Sequence, residues 1–260
     1  MRRRIVAGNW KSHMTRAEAA AWAEVFLPRV EDATAELIVC PPFTALASVA
    51  DRLKGTNVDV AGQDVFWMPK GAFTGSISVG MLSEAGAKWA LVGHSETRGR
   101  FGKLEVPEST TGYFGETDET VNLKIKALLG GGLKPILCVG ETLAEREAGE
   151  TDSTIQSQLQ GALAGISDFQ GGVMAYEPVW AIGTGKTCDA EEANRVCGVV
   201  RSALTEILGE EQASETRVLY GGSVKASNAS EIFSGTEVDG GLVGGASLLP
   251  EEFVAIANAG

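Results

Sequence analysis

Three residues able to move protons or hold charge each stand where a short apolar run ends: Lys11 after Arg4 to Trp10, His94 after Lys88 to Val92, and Glu177 after Gly172 to Tyr176. The run before Glu177 reads as a strand buried on both faces, so its carboxylate points into a mouth at the strand end. Pro178 then fixes one backbone angle, while Gly183 and Gly185 allow positive φ and close approach of backbone to a ligand. Val179, Trp180 and Ile182 lie between them and need a surface to close onto. Residues 178–186 therefore read as a lid following a base. A carboxylate that reaches two adjacent carbons can carry a proton from one to the other. His94 is suited to polarise a carbonyl oxygen or shuttle a proton between neighbouring oxygens, while His13 has no such context and reads as a surface residue. Lys11 offers positive charge to a developing oxyanion, and Asn9 beside it offers a hydrogen bond. Lys11 as a Schiff-base nucleophile is the alternative, but that role needs an apolar or cationic pocket, and Glu96 is its expected partner.

Positioning these groups requires their strand ends to meet. The candidate strands are Arg4 to Trp10, Leu37 to Cys40, Val58 to Gln63, Lys88 to Val92, Pro135 to Val139, Gly172 to Tyr176, Arg217 to Tyr220 and Gly240 to Val243. Helical patterns fall between them at Thr15 to Val30, Phe43 to Leu53, Val79 to Ala85, Thr117 to Leu129, Thr151 to Leu163, Ala190 to Leu208, Ala226 to Phe233 and Pro250 to Ala257. This alternation predicts a single α/β domain over residues 1–260, a closed (β/α)8 barrel with its site at the C-terminal strand ends. An open doubly wound sheet is the alternative, but no glycine-rich dinucleotide turn follows the first strand. In a barrel, Gly221-Gly222 with Ser223 and Gly244-Gly245 fall after strands seven and eight, where backbone N–H groups commonly bind phosphate.

The 260 residues carry a formal net charge of -12, which argues against nucleic acid as a partner. No run approaches the length of a membrane span, and although Met1 to Arg4 is basic, Ile5 to Gly8 is too short and too quickly followed by polar residues to be a signal-peptide core. Cys40, Cys138, Cys188 and Cys197 are widely spaced without a metal-ligand or CxxC pattern, which reads as free thiols in a reducing cytoplasm.

Gly8-Asn-Trp-Lys11, Gly93-His-Ser-Glu96, Cys138-Val-Gly-Glu141, Ala175 to Lys186, Tyr220-Gly-Gly-Ser223 and Leu242-Val-Gly-Gly245 together resemble the signatures of the triosephosphate isomerase family, in family order over nearly the whole chain. The resemblance implies a TIM barrel interconverting dihydroxyacetone phosphate and glyceraldehyde 3-phosphate through an enediolate, without cofactor or metal. It implies Glu177 as general base, a neutral His94 as electrophile, and Lys11 and Asn9 as stabilisers of negative charge. Gly183, Ser223, Gly244 and Gly245 look like the phosphate cradle. Glu96 and Cys138 are expected in support, the latter as a buried small thiol, with Glu141 a structural partner at a neighbouring loop. The loop Gly71 to Gly75 resembles the family's dimer arm, with Thr74 approaching Asn9 and Lys11 of a second copy. Departures are Thr97 in place of an arginine, Ser76 in place of an acid, Cys188 in place of alanine, and an insertion at about 99–112 that reads as a solvated excursion. Phe101, Leu104 and Val106 within it leave open that it packs beside the site or on a partner subunit.

Overall fold

Eight short runs rich in valine, leucine, isoleucine and alanine form parallel strands: β1 (Ile5–Asn9), β2 (Glu36–Cys40), β3 (Val58–Gly62), β4 (Trp89–Val92), β5 (Lys134–Val139), β6 (Val173–Tyr176), β7 (Val218–Tyr220) and β8 (Gly240–Val243). They pair in chain order and β8 returns to β1, with Ile5 opposite Gly240 and Val243 opposite Gly8, so the sheet closes as a barrel. The computed structural model describes residues 2–31 and 33–259; the expected domain limits Met1 and Gly260 lie outside the described residues.

The helices that cover the sheet are α1 (Arg16–Phe26), α2 (Phe43–Leu53), α3 (Val79–Glu84), α4 (Asp118–Gly130), α5 (Leu143–Glu147), α6 (Thr151–Ala162), α7 (Ala190–Leu208), α8 (Glu210–Glu215), α9 (Ala226–Phe233) and α10 (Pro250–Ala257). Side chains alternate along each strand, and both faces are buried. Ile5, Ala7, Ile38, Leu91, Cys138 and Ala175 fill the barrel interior, whereas Val6, Val39, Val60, Leu137 and Met174 join the core under the helices. Burial on both faces is why the strands read as continuous apolar runs with no polar alternate.

The first strand end is fixed by aromatic packing. Trp10 lies edge-on to Trp22 of α1 at 4.8 Å, and Trp22 lies 4.2 Å from Phe26 and donates its indole N–H to the Ser247 carbonyl at 3.0 Å. Trp10 is thereby a packing residue, leaving its neighbours Asn9 and Lys11 to face the mouth.

Element ends depart from the sequence expectation where local chemistry intervenes. The helix expected to reach Val30 ends at Phe26 and tightens into a 3₁₀ turn, Leu27–Arg29, because Pro28 has no N–H to continue the ladder. α5 and α8 are too short to show periodicity; α5 is announced only by its capping box, in which Thr142 and Glu145 each satisfy the other's backbone N–H. In the insertion, residues 103–110 are exposed, as expected, and Glu108–Tyr113 forms a 3₁₀ turn that the sequence pattern did not suggest. All four cysteines are buried and unpaired. Among the described residues, no helix is long and apolar enough to cross a membrane.

Candidate active site

The C-terminal strand ends enclose a cleft of about 570 Å³, lined by Lys11, His94 and Glu177. Asn9, Gly183, Ser223, Gly244 and Gly245 line the same cleft, so groups separated by up to 236 positions of sequence meet as the barrel alternation requires.

Glu177 directly follows β6 and is only 2% exposed. Its N–H donates to the Val139 carbonyl of β5 at 2.8 Å. A Cβ on Gly140 would collide with the Glu177 carbonyl, so the neighbouring strand end must be bare for Glu177 to sit there. The carboxylate accepts the Ser95 N–H at 2.9 Å and the Ser95 hydroxyl at 3.2 Å. His94 Nε2 lies 3.0 Å from Glu177 Oε1. At its other nitrogen, His94 Nδ1 accepts the Glu96 backbone N–H at 3.2 Å. A nitrogen that accepts cannot carry the proton, so this hydrogen-bond pattern assigns a neutral ring with its proton on Nε2. The ring can then donate to a substrate oxygen without bringing a full positive charge.

Lys11 has a positive φ of 52°, a conformation costing a non-glycine residue about 1 kcal/mol or more. Its neighbours enforce it. The Lys11 N–H donates to Asn9 Oδ1 at 3.0 Å, and the Gln63 amide donates to the Lys11 carbonyl at 2.8 Å and the Cys40 carbonyl at 2.9 Å. Because Asn9 spends its oxygen on the backbone, its NH₂ is the group available to a ligand. The Lys11 ammonium donates to Glu96 at 2.5 Å. Burial works to raise the Glu96 pKa, yet the carboxyl is held below its ordinary value, with the Lys11 ammonium both pairing with it and donating to it. Cys138 contributes no reactive group here, since burial and then the Glu177 charge push its thiol well up, and it is fully enclosed in the barrel.

Across the cleft, a 3₁₀ turn at Gly245–Leu248 starts directly after Gly244, and its first N–H groups have no acceptor within the turn. With Ser223 this gives a rim of largely backbone donors, of a kind suited to an anion. Lys225 and Leu242 also line the cleft. Leu242 opens one of the signatures already quoted, whereas Lys225 does not stand out in the sequence as a candidate.

The segment after Glu177 begins with a buried 3₁₀ turn, Val179–Ala181. Trp180 donates its indole N–H to Glu141 Oε1 at 2.8 Å, the Tyr176 hydroxyl donates to the same oxygen at 3.1 Å, and the Arg146 guanidinium stacks 4.5 Å from the Trp180 ring centroid. Burial raises the Glu141 pKa despite these donors. Gly183 and Gly185 have φ of 70° and 80° and are exposed. Asp189 closes the segment by capping α7 through the Glu192 N–H at 2.8 Å. Cys188 is buried with its thiol pushed up to about 12 by desolvation, consistent with a small apolar filler.

Ser95 and Gln63 emerge only in three dimensions. Ser95 sits within a motif already singled out, and Gln63 at a strand end, but what they hold is not written in their spacing. Arg98 pairs with Asp118 of its own chain at 2.6 Å. Among the described residues, no cluster of three or more histidine, cysteine or acidic side chains could hold a metal.

A family model for triosephosphate isomerase matches residues 4–260. The chain is 48% identical over 260 residues to a protein named triosephosphate isomerase from Thermoanaerobacter pseudethanolicus, an alignment covering 99% of this chain and 100% of the relative. Relatives of the same name from Acetivibrio thermocellus and Synechocystis sp. are each 47% identical, covering 99% of this chain and 98% and 99% of their own lengths.

Proposed function

The chain belongs to the triosephosphate isomerase family and interconverts dihydroxyacetone phosphate and glyceraldehyde 3-phosphate; from that premise we propose that Glu177 moves the carbon-bound proton. The observation that carries this is the 3.0 Å approach of Glu177 Oε1 to His94 Nε2 inside a cleft that Lys11 also lines.

Removing the proton from the carbon next to the carbonyl leaves an enediolate. His94 donates from Nε2 to the oxygen that becomes negative and takes back the proton of the neighbouring hydroxyl, which becomes the new carbonyl, while Lys11 and the Asn9 NH₂ stabilise the charge. Glu177, now protonated, delivers to the adjacent carbon. The substrate phosphate lies on the rim at Ser223, Gly244 and Gly245, joined by Gly183 when residues 178–186 close. Closure excludes water and limits loss of phosphate from the enediolate. A Schiff-base reaction at Lys11 is disfavoured by its carboxylate partner at 2.5 Å; borohydride with substrate should trap no lysine adduct.

The protein acts as a homodimer in the cytoplasm. Phe73 and Met68 are 42% and 40% exposed at the projecting loop around Thr74, apolar surface that a second copy would cover. Sedimentation should give a dimer, and Phe73→Asp should shift it to monomer. The reaction itself is tested in D₂O. Deuterium should appear at the carbon that Glu177 reprotonates; product retaining all its original hydrogen would indicate direct hydride shift and overturn the carboxylate mechanism.

A further inference from the structure

Residues 99–114 leave the barrel just after the His94 loop, yet their base is pinned. The Glu116 N–H donates to the Thr97 carbonyl at 3.1 Å, the Thr97 hydroxyl donates to Glu116 at 2.5 Å, and Arg98 Nε donates to the Gly93 carbonyl at 2.7 Å. Phe101 packs edge-on against Phe114 at 5.3 Å, joining the outgoing and returning strands of the excursion. A loop so held presents its next residue, Gly102, at a fixed place.

That place is against residues 179–184. A Cβ on Gly102 would collide with the carbonyl oxygens of both Val179 and Ile182 and would meet the Thr184 methyl group at 3.1 Å. Gly102 is not among the glycines with positive φ, so its need for a bare Cα comes from this contact and not from its own backbone. The same excursion reaches the segment by a second route. Arg100 donates to the Gly140 carbonyl at 3.0 Å and pairs with Glu145, and Gly140 precedes Glu141, the acceptor of the Trp180 indole.

We propose that residues 99–102 form a seat for the open lid, with Gly102 the positioning residue that lets the lid lie down and thereby sets its open–closed balance. The inference rests on reading 178–186 as the closing lid. In the structure the lid lies on the seat, Glu177 is turned to Ser95, and Gly183 is exposed. A ligand that selects the closed lid must strip it from the seat, so contacts there subtract from ligand affinity. A side chain at 102 pushes the open lid off its support and has no counterpart in the closed position.

The test uses 2-phosphoglycolate, whose carboxylate and phosphate imitate an enediolate phosphate. Gly102→Ala should bind it at least about fivefold more tightly than wild type. KM for glyceraldehyde 3-phosphate should fall with it, and kcat should fall as release slows. A variant in which 99–112 are replaced by Gly-Gly, which removes all four residues of the seat, should shift affinity in the same direction. Unchanged or weaker binding in a folded variant overturns the proposal. Wild-type protein provides a readout independent of any variant: saturating 2-phosphoglycolate should speed amide hydrogen exchange at 100–106 while slowing it at 179–185. Unchanged exchange at 100–106 would equally overturn it. A wild type without turnover would remove the lid reading itself, whereas an active wild type with a silent seat removes only this inference.

Discussion

Glu177 and His94 show how a site can be poised without net charge in the wrong place. The carboxylate is held by Ser95, whose N–H and hydroxyl both reach it, and by a ring whose tautomer is fixed from the far side by the Glu96 N–H. Ser95→Ala removes one of these holds and leaves the other; activity should fall by about tenfold, the weight of one hydrogen bond to a charged group, with the fold intact by circular dichroism. Glu96 gives a pH signature. Its pKa lies below the ordinary Glu value despite opposing burial, because the Lys11 ammonium pairs with it, so the folded state binds fewer protons than the unfolded one in this window. Its stabilisation is fully present above the ordinary value of about 4.3 and is lost as pH falls through the lowered one. The side chain is 40% exposed, so solvent screening keeps the effect below about 1 kcal/mol. Wild type and Glu96→Gln should therefore differ in urea midpoint at neutral pH and converge in acid; curves that stay parallel to the lowest pH would count against the pair. Lys11, His94 and Glu177 were legible in the sequence because each is a polar residue at the end of an apolar run. Ser95 and Gln63 were not, since their partners are chosen by the closure of the barrel.

At the scale of elements, the lid is a segment clamped at both ends and loose in the middle. Asp189 caps α7 at one end, and at the other Trp180 is held by Glu141, while Gly183 to Lys186 carry the positive φ angles and exposure. Trp180→Phe keeps the packing and deletes the indole N–H, leaving Glu141 with fewer donors. Trypsin cleavage at exposed Lys186 should then quicken by about tenfold, in line with roughly 1.4 kcal/mol lost from the clamp. An unchanged cleavage rate would show that the indole hydrogen bond does not anchor the lid. Pro178 and the glycines after it are what suggest a lid. Glu141 is expected from the sequence only as a structural partner at a neighbouring loop; that it accepts the Trp180 indole is not legible, because the two belong to different β/α units. The same holds for 99–112: its composition signals exposure, correct for 103–110, but contact at Gly102 leaves no trace in a residue without a side chain.

The molecule as a whole divides its labour between the two ends of the barrel. Opposite the cleft, Asp239 accepts Arg2 at 2.7 Å, Arg201 at 2.7 Å and the Val218 N–H at 2.9 Å, while its carbonyl accepts the Ile5 N–H at 3.0 Å. It joins β1, β7 and β8 where the sheet closes. Asp239→Asn strips the charge from a 6% exposed acceptor serving two arginines, and should cost about 3 kcal/mol in chemical denaturation while leaving kcat near wild type. A large loss of kcat with unchanged stability would contradict this division. Closure itself was foreseeable from eight β/α units in 260 residues without any dinucleotide turn, although no strand pattern names its neighbour. The proposed mechanism rests on proton transfer by one carboxylate. The decisive measurement is turnover of glyceraldehyde 3-phosphate by Glu177→Gln, which is nearly isosteric but cannot take a proton. Loss of about a thousandfold or more in kcat with KM little changed is expected; activity within tenfold of wild type would mean that another group is the base.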